Sequence, residues 1–235
     1  YYHKRNNSKL FKTLEDLSMT QLYDVQNYIP LYKRFFDLSS SNSANINLNH
    51  KFFIESLIEK ETENIYKCKI ENENGHSEKV SVFFKFSPLL DSTKYMIGKY
   101  EKCDNNDLFK MPNLDTVRNK KIEDVNNAAY VDGFFSYLSS QLLHEHRFLN
   151  GIDYYGSFLG VKKNFVSNII DEIDLLSESD YFNKRLNIKW RLENPVYNNL
   201  LEGDSRNNKR SLEINNSDEE IELNFDSIEN ESFDN

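Results

Sequence analysis

The segment VSVFFKFSPLL (80–90) alternates with period two. Val80, Val82, Phe84 and Phe86 fall on one face, and Ser81, Phe83, Lys85 and Ser87 on the other, the pattern of a strand with one buried side. Two similar runs precede it, FFIESLIEKE from Phe52 and NIYKCKIENEN from Asn64. A short polar turn near Thr62 separates these two. Asn74-Gly75, a strong hairpin signal, joins the second run to the third. Residues 51–87 are therefore expected to form a three-stranded antiparallel meander.

On either side the period becomes helical. Leu10, Leu14, Leu17, Leu22, Val25 and Ile29 predict helix over 8–37, with Thr20 capping a second run and Pro30 interrupting it. SSSNSANINLN (39–49) is small and polar, a linker by composition. Residues 88–124, with Pro88, Pro112 and EKCDNNDL, read as a long insertion of little regular structure. Residues 126–149 then read as a helix capped by Asn126 or Asn127, its apolar stripe drawn from Ala129, Phe134, Tyr137, Leu138 and Leu142. Gly133 costs that helix about 1 kcal/mol. GIDYYGSFLGV and NFVSNIIDEIDLL are expected as two further strands turning at Lys162-Lys163-Asn164, and SESDYFNKR as the start of another helix.

The expected fold class is α+β: an antiparallel sheet of about five strands with one packed helix, spanning 51–200 and carrying the 88–124 insertion. A helical N-terminal extension (1–38) and a linker (39–50) come before it. From Glu202 onward the chain is acidic and rich in asparagine, with too few large apolar side chains to offset chain entropy. Residues 201–235 are read as a disordered acidic tail.

Composition narrows the function classes. A net charge of -9 argues against a general nucleic-acid binder, because a phosphate backbone demands a basic surface. Cys68 and Cys103 are too few for a disulfide framework and are not spaced as metal ligands, which suits a reduced, intracellular setting. No apolar run approaches the roughly 18 residues of a membrane span, and no signal peptide is visible. The sequence opens on Tyr1 rather than Met, which fits a processed or excised piece of a longer protein.

Three local constellations carry little chemistry. His144 and His146 are two apart, on different sides of a helix, so they read as surface histidines at a helix end where the dipole favours cations. Asp171, Glu172 and Asp174 cluster, but a hard cation needs more oxygen ligands. Lys33 and Arg34, set among aromatics in LYKRFF, read as a helix end packing on the core.

The element order strand, strand, lysine-bearing strand, helix, strand, strand resembles the small N-terminal lobe of protein kinases. Val82-Phe83-Phe84-Lys85 sits where that family has V-A-I-K, the 126–146 helix where it has helix C, and FLNGIDYYGSF where it has its fourth strand. The block NNAAYVDGFFSYLSSQLLHEHRFLNGIDYYGSFLG is similar to kinase-like proteins of giant DNA viruses. The resemblance covers about residues 51–190 and implies ATP and magnesium as cofactors. Lys85 would hold the α/β-phosphates, Asp132 or Glu145 would orient Lys85, and Phe83 with residues 171–175, including Asp171 and Asp174, would line the adenine site. The host cytoplasm or a virion is the implied location. A protein partner is expected as well, either a separate catalytic lobe or virion subunits.

The departures from the family are specific. Residues 51–74 contain no glycine, Phe83 stands where a small residue faces adenine, and neither H-R-D nor D-F-G occurs. Phosphotransfer would therefore need a catalytic lobe outside this chain. The alternative expectation is a non-catalytic structural or interaction protein, such as a virion component.

Overall fold

The computed structural model describes residues 2–39, 46–101, 108–115 and 119–193. The expected meander is its clearest feature. Strands β4 (Phe52–Lys60), β5 (Ile65–Asn72) and β6 (Ser77–Phe83) form a three-stranded antiparallel sheet in the order β4-β5-β6. At the β5–β6 turn Gly75 adopts φ +77°, and Asn72 Oδ1 accepts the backbone N–H groups of Asn74 and His76, which fixes the hairpin. Ile54, Leu57, Tyr66, Cys68, Ile70 and Val82 are all buried on one side of this sheet. Ile54 and Leu57 share that side at an odd spacing because β4 shifts register between Ile54 and Ser56. The alternation read in 80–87 holds: Val82 is buried, Phe84 and Phe86 pack against the same core, and Phe83 and Lys85 are exposed.

The N-terminal segment departs from its expected helix. Only Ser8–Leu14 (α1) is α-helical there. Leu22–Gln26 (β2) is a strand, and Pro30–Arg34 is a single 3₁₀ turn. Thr20 caps nothing; it is buried, and its hydroxyl donates back to Leu14 O. Leu10 and Leu14 sit in the same apolar cluster as the sheet, so this segment is part of the core. Within the expected linker, Ile46–Leu48 (β3) pairs antiparallel with Tyr2–Lys4 (β1), and both Ile46 and Leu48 are buried.

Among its described residues the insertion includes a short helix, Ser92–Met96 (α2), started by Asp91, whose side chain accepts Lys94 N. It is packed rather than loose: Met96, Leu108 and Ile122 are buried. The long helix forms as expected, from Ala128 to His146 (α3). Asn127 is its cap, accepting from Ala129 N, and Arg147 at φ 55° ends it. Tyr130, Phe134 and Tyr137 of α3 join Tyr28, Leu31, Tyr32 and Tyr154 in a second core cluster.

Among the described residues the single sheet of about five strands is replaced by three sheets of three, two and two strands. Leu159–Lys162 (β7) pairs antiparallel with β2 instead of joining β4-β5-β6, and Asp24 at φ 52° lies where that pairing slips between Tyr23 and Gln26. The second expected strand, at 164–176, is a 3₁₀ turn at Ile170–Glu172 running into a short helix, Ile173–Ser177 (α4). The helix expected in SESDYFNKR is present as Asp180–Asn183 (α5), capped by Ser179. The expected acidic tail lies outside the described residues. The class that results is α+β with small antiparallel sheets.

Candidate functional site

Lys85 lies two residues past β6, on the exposed side of that strand. Its ammonium donates to Asp132 Oδ2 at 2.8 Å, tying the end of the sheet to the second turn of α3. The side chains are 63% and 48% exposed, so the pair is bathed in water. Phe83, two residues before, is likewise exposed, while its neighbours Val82 and Phe84 face the core, Phe84 packing against Tyr66 at 4.8 Å between ring centroids.

The other residues expected beside Lys85 are elsewhere. Glu145 is exposed on α3, 13 positions beyond Asp132. A regular helix puts that about 20 Å along the axis and on another side, so Glu145 and Asp132 cannot share Lys85. Asp171 belongs to the 3₁₀ turn and Asp174 to α4; both are exposed, and neither lies on a strand that could line an adenine ring. Among the described residues no group of three or more His, Cys, Asp and Glu side chains is placed to hold a metal ion. Among the described residues, the carboxylates expected beside Lys85 do not gather into a magnesium site there.

A different lysine is the more enclosed one. Lys162, on β7, donates to Thr20 O at 2.9 Å and lies 4.2 Å from the Phe86 ring centroid. Burial pushes its ammonium below the ordinary lysine range. Its ammonium is held between a backbone carbonyl and an aromatic face, which makes it part of the packing. His144 is also committed: its Nε2 is 2.5 Å from Asp153 Oδ1, and Ser139 Oγ accepts Ile152 N at 3.2 Å. These two contacts fold the 150–153 loop back along α3, whereas His146 stays exposed.

The face of α3 turned away from the core is the feature sequence reasoning missed. Val131, Phe135, Leu138 and Leu142 are between 40% and 69% exposed. They step by four, three and four residues, so they form one stripe down the helix. Each is one position after a residue of the inner stripe, Tyr130, Phe134, Tyr137 and Gln141, of which Tyr130 and Tyr137 are buried and Gln141 donates to Asn49 O. Leu138 and Leu142, expected on the core side, belong to this outer stripe. The signal was in the sequence as two apolar stripes offset by one residue, covering more of the helix than one core can bury. Phe35, also exposed, stacks on Phe134 with centroids 4.6 Å apart and rings inclined by 13°, widening the apolar surface beside the stripe.

No protein-family model, no curated protein and no solved structure matches the chain. Among the described residues no helix is long and apolar enough to cross a membrane.

Proposed function

We propose that the chain is a non-catalytic interaction protein whose working surface is the outer face of α3, and that its partner is another folded chain presenting an apolar helical face. The observation that carries this reading is the exposed stripe Val131, Phe135, Leu138 and Leu142. Single exposed apolar residues are ordinary on a protein surface, but a contiguous patch of large ones marks a contact site. The spacing is that of a helix-packing seam, in which side chains three and four apart interdigitate with a facing helix. The proposal is tested with an environment-sensitive apolar dye. At sub-micromolar protein the folded chain should enhance its fluorescence, and Phe135→Glu with Leu142→Glu should remove most of that enhancement while leaving the far-ultraviolet dichroism unchanged. An enhancement that survives the double substitution would place the open apolar surface somewhere else and remove the reading.

The Lys85–Asp132 pair favours a second reading, a kinase-like lobe that takes the phosphates of ATP, with Asp132 orienting Lys85 as an acidic residue of helix C orients the lysine in kinases. Mg·ATP should then raise the melting temperature of the chain, and Lys85→Met should abolish the rise. A melting temperature indifferent to Mg·ATP would leave the interaction reading alone.

A further inference from the structure

We infer that the outer face of α3 is covered by a second copy of this chain, packed as an antiparallel helix pair about a twofold axis between Phe135 and Leu138. The inference rests on reading that face as the working surface, and it names the occupant.

The steps of the stripe read four, three, four from either end, so the stripe is its own complement when reversed. In an antiparallel pair Val131 of one copy meets Leu142 of the other, and Phe135 meets Leu138. Every apolar contact then occurs twice, as an isologous interface requires. A parallel pair would set Phe135 on Phe135 and leave the two helix dipoles aligned side by side; the antiparallel pair sets them head to tail, which is favourable.

Charge follows the same arrangement. Asp124 precedes α3 and Arg147 ends it, whereas Asp132 is already paired with Lys85 and Glu145 is exposed near the C-terminal end. Reversal about the axis brings Arg147 of one copy toward Asp124 of the other at both rims. Size is adequate as well. The stripe with Phe35 leaves roughly 400 Å² of apolar side chain open per copy, taking ordinary side-chain areas. Pairing would hide about twice that over the two copies, Phe35 included, and a polar rim would add to it toward the ~1,200 Å² of a small specific interface.

The test is sedimentation equilibrium of the full chain at up to about 100 µM, where a small interface of this type is populated. The wild type should be a monomer–dimer mixture. Phe135→Glu should weaken dimerisation by about 100-fold or more, since it sets a carboxylate against Leu138 of the other copy beside the axis. Orientation is read by oxidative cross-linking in a Cys103→Ser background, Cys68 being buried. Val131→Cys and Leu142→Cys chains should cross-link when mixed, and neither should cross-link alone. A wild type that stays monomeric, a Phe135→Glu chain that dimerises as well as wild type, or a Val131→Cys chain that links to itself would each overturn the inference. A monomer that still shows dye enhancement lost with Phe135→Glu would overturn the second copy and leave the outer face open to a different protein; loss of both would remove the face altogether.

Discussion

Lys85 Nζ lies 2.8 Å from Asp132 Oδ2, so the lysine just past β6 is joined to α3 across 47 residues of chain. Both side chains are about half open to water, and exposed pairs gain little net energy. A double-mutant cycle with Lys85→Ala and Asp132→Ala in urea unfolding should give a coupling of about 0.2–1 kcal/mol, shrinking in high salt. A coupling of ~3 kcal/mol insensitive to salt would mean the pair is enclosed in a cleft.

The N-terminal helix is part of the core. Leu14 is buried with Ile54, Leu57 and Tyr66, and Leu57 N donates to Thr13 Oγ1 at 3.1 Å. Leu14→Ala should cost about 2–5 kcal/mol in global stability by urea unfolding, the range for an emptied buried leucine. A loss under ~0.5 kcal/mol would make the segment an appendage.

Asn127 does three jobs at the start of α3. Its Oδ1 accepts Ala129 N, and its Nδ2 donates to Leu89 O and Lys121 O. The cap alone is worth about 1 kcal/mol, and losing the two part-buried hydrogen bonds to Leu89 O and Lys121 O adds to it. Asn127→Ala should therefore cost about 2–3 kcal/mol, and Asn127→Asp should recover only the cap share, because a carboxylate cannot donate to carbonyls. Equal stability of the aspartate variant and the wild type would assign the whole effect to capping.

Burial also sets the alkaline limit of the fold. The Cys68 thiol is pushed up to about 12 by burial, as is the Tyr154 phenol, and Tyr32 is raised well above its ordinary value by the same cause. In the unfolded chain the thiol ionises near pH ~8.5 and the phenols near ~10. Above those values the unfolded state binds fewer protons than the folded one, so stability falls as pH rises. The contribution is whole below about pH 8.5 and is lost progressively toward 12. Urea midpoints at about pH 7, 9 and 10.5 should descend in that order. A midpoint that holds or rises across the range would contradict the burial of these groups.

Much of this fold was legible where period two or a turn motif was unambiguous. The β4-β5-β6 meander follows from alternation and Asn74-Gly75, and the faces of Val82, Phe83 and Lys85 fall as the alternation assigns them. Helix α3 and its Asn127 cap were also readable. The failures have a common cause: short apolar runs whose period depends on a distant partner. LYDVQ was read as helix because Leu22 and Val25 continue the spacing of Leu10 and Leu14, yet it pairs with β7, 137 residues later. NIIDEIDLL was read as strand, but among the described residues no strand pairs with it, and it coils with Leu176 buried. At the candidate site the sequence left Asp132 and Glu145 as alternatives beside Lys85, and the contact falls on Asp132. The outer stripe was present in the spacing, but helical spacing shows that a face is apolar and does not show which face meets the core.

The most direct measurement compares two aromatic residues on the same helix, two positions apart. Phe135 is exposed on the outer face of α3 and Tyr137 is buried on the inner one. Under conditions where the chain is monomeric, Phe135→Glu should leave the unfolding free energy within about 0.5 kcal/mol of wild type, whereas Tyr137→Ala should lose about 3 kcal/mol or more. A Phe135→Glu loss as large as that of Tyr137→Ala would mean the outer stripe is already buried within the chain, and no surface would be left there for a partner.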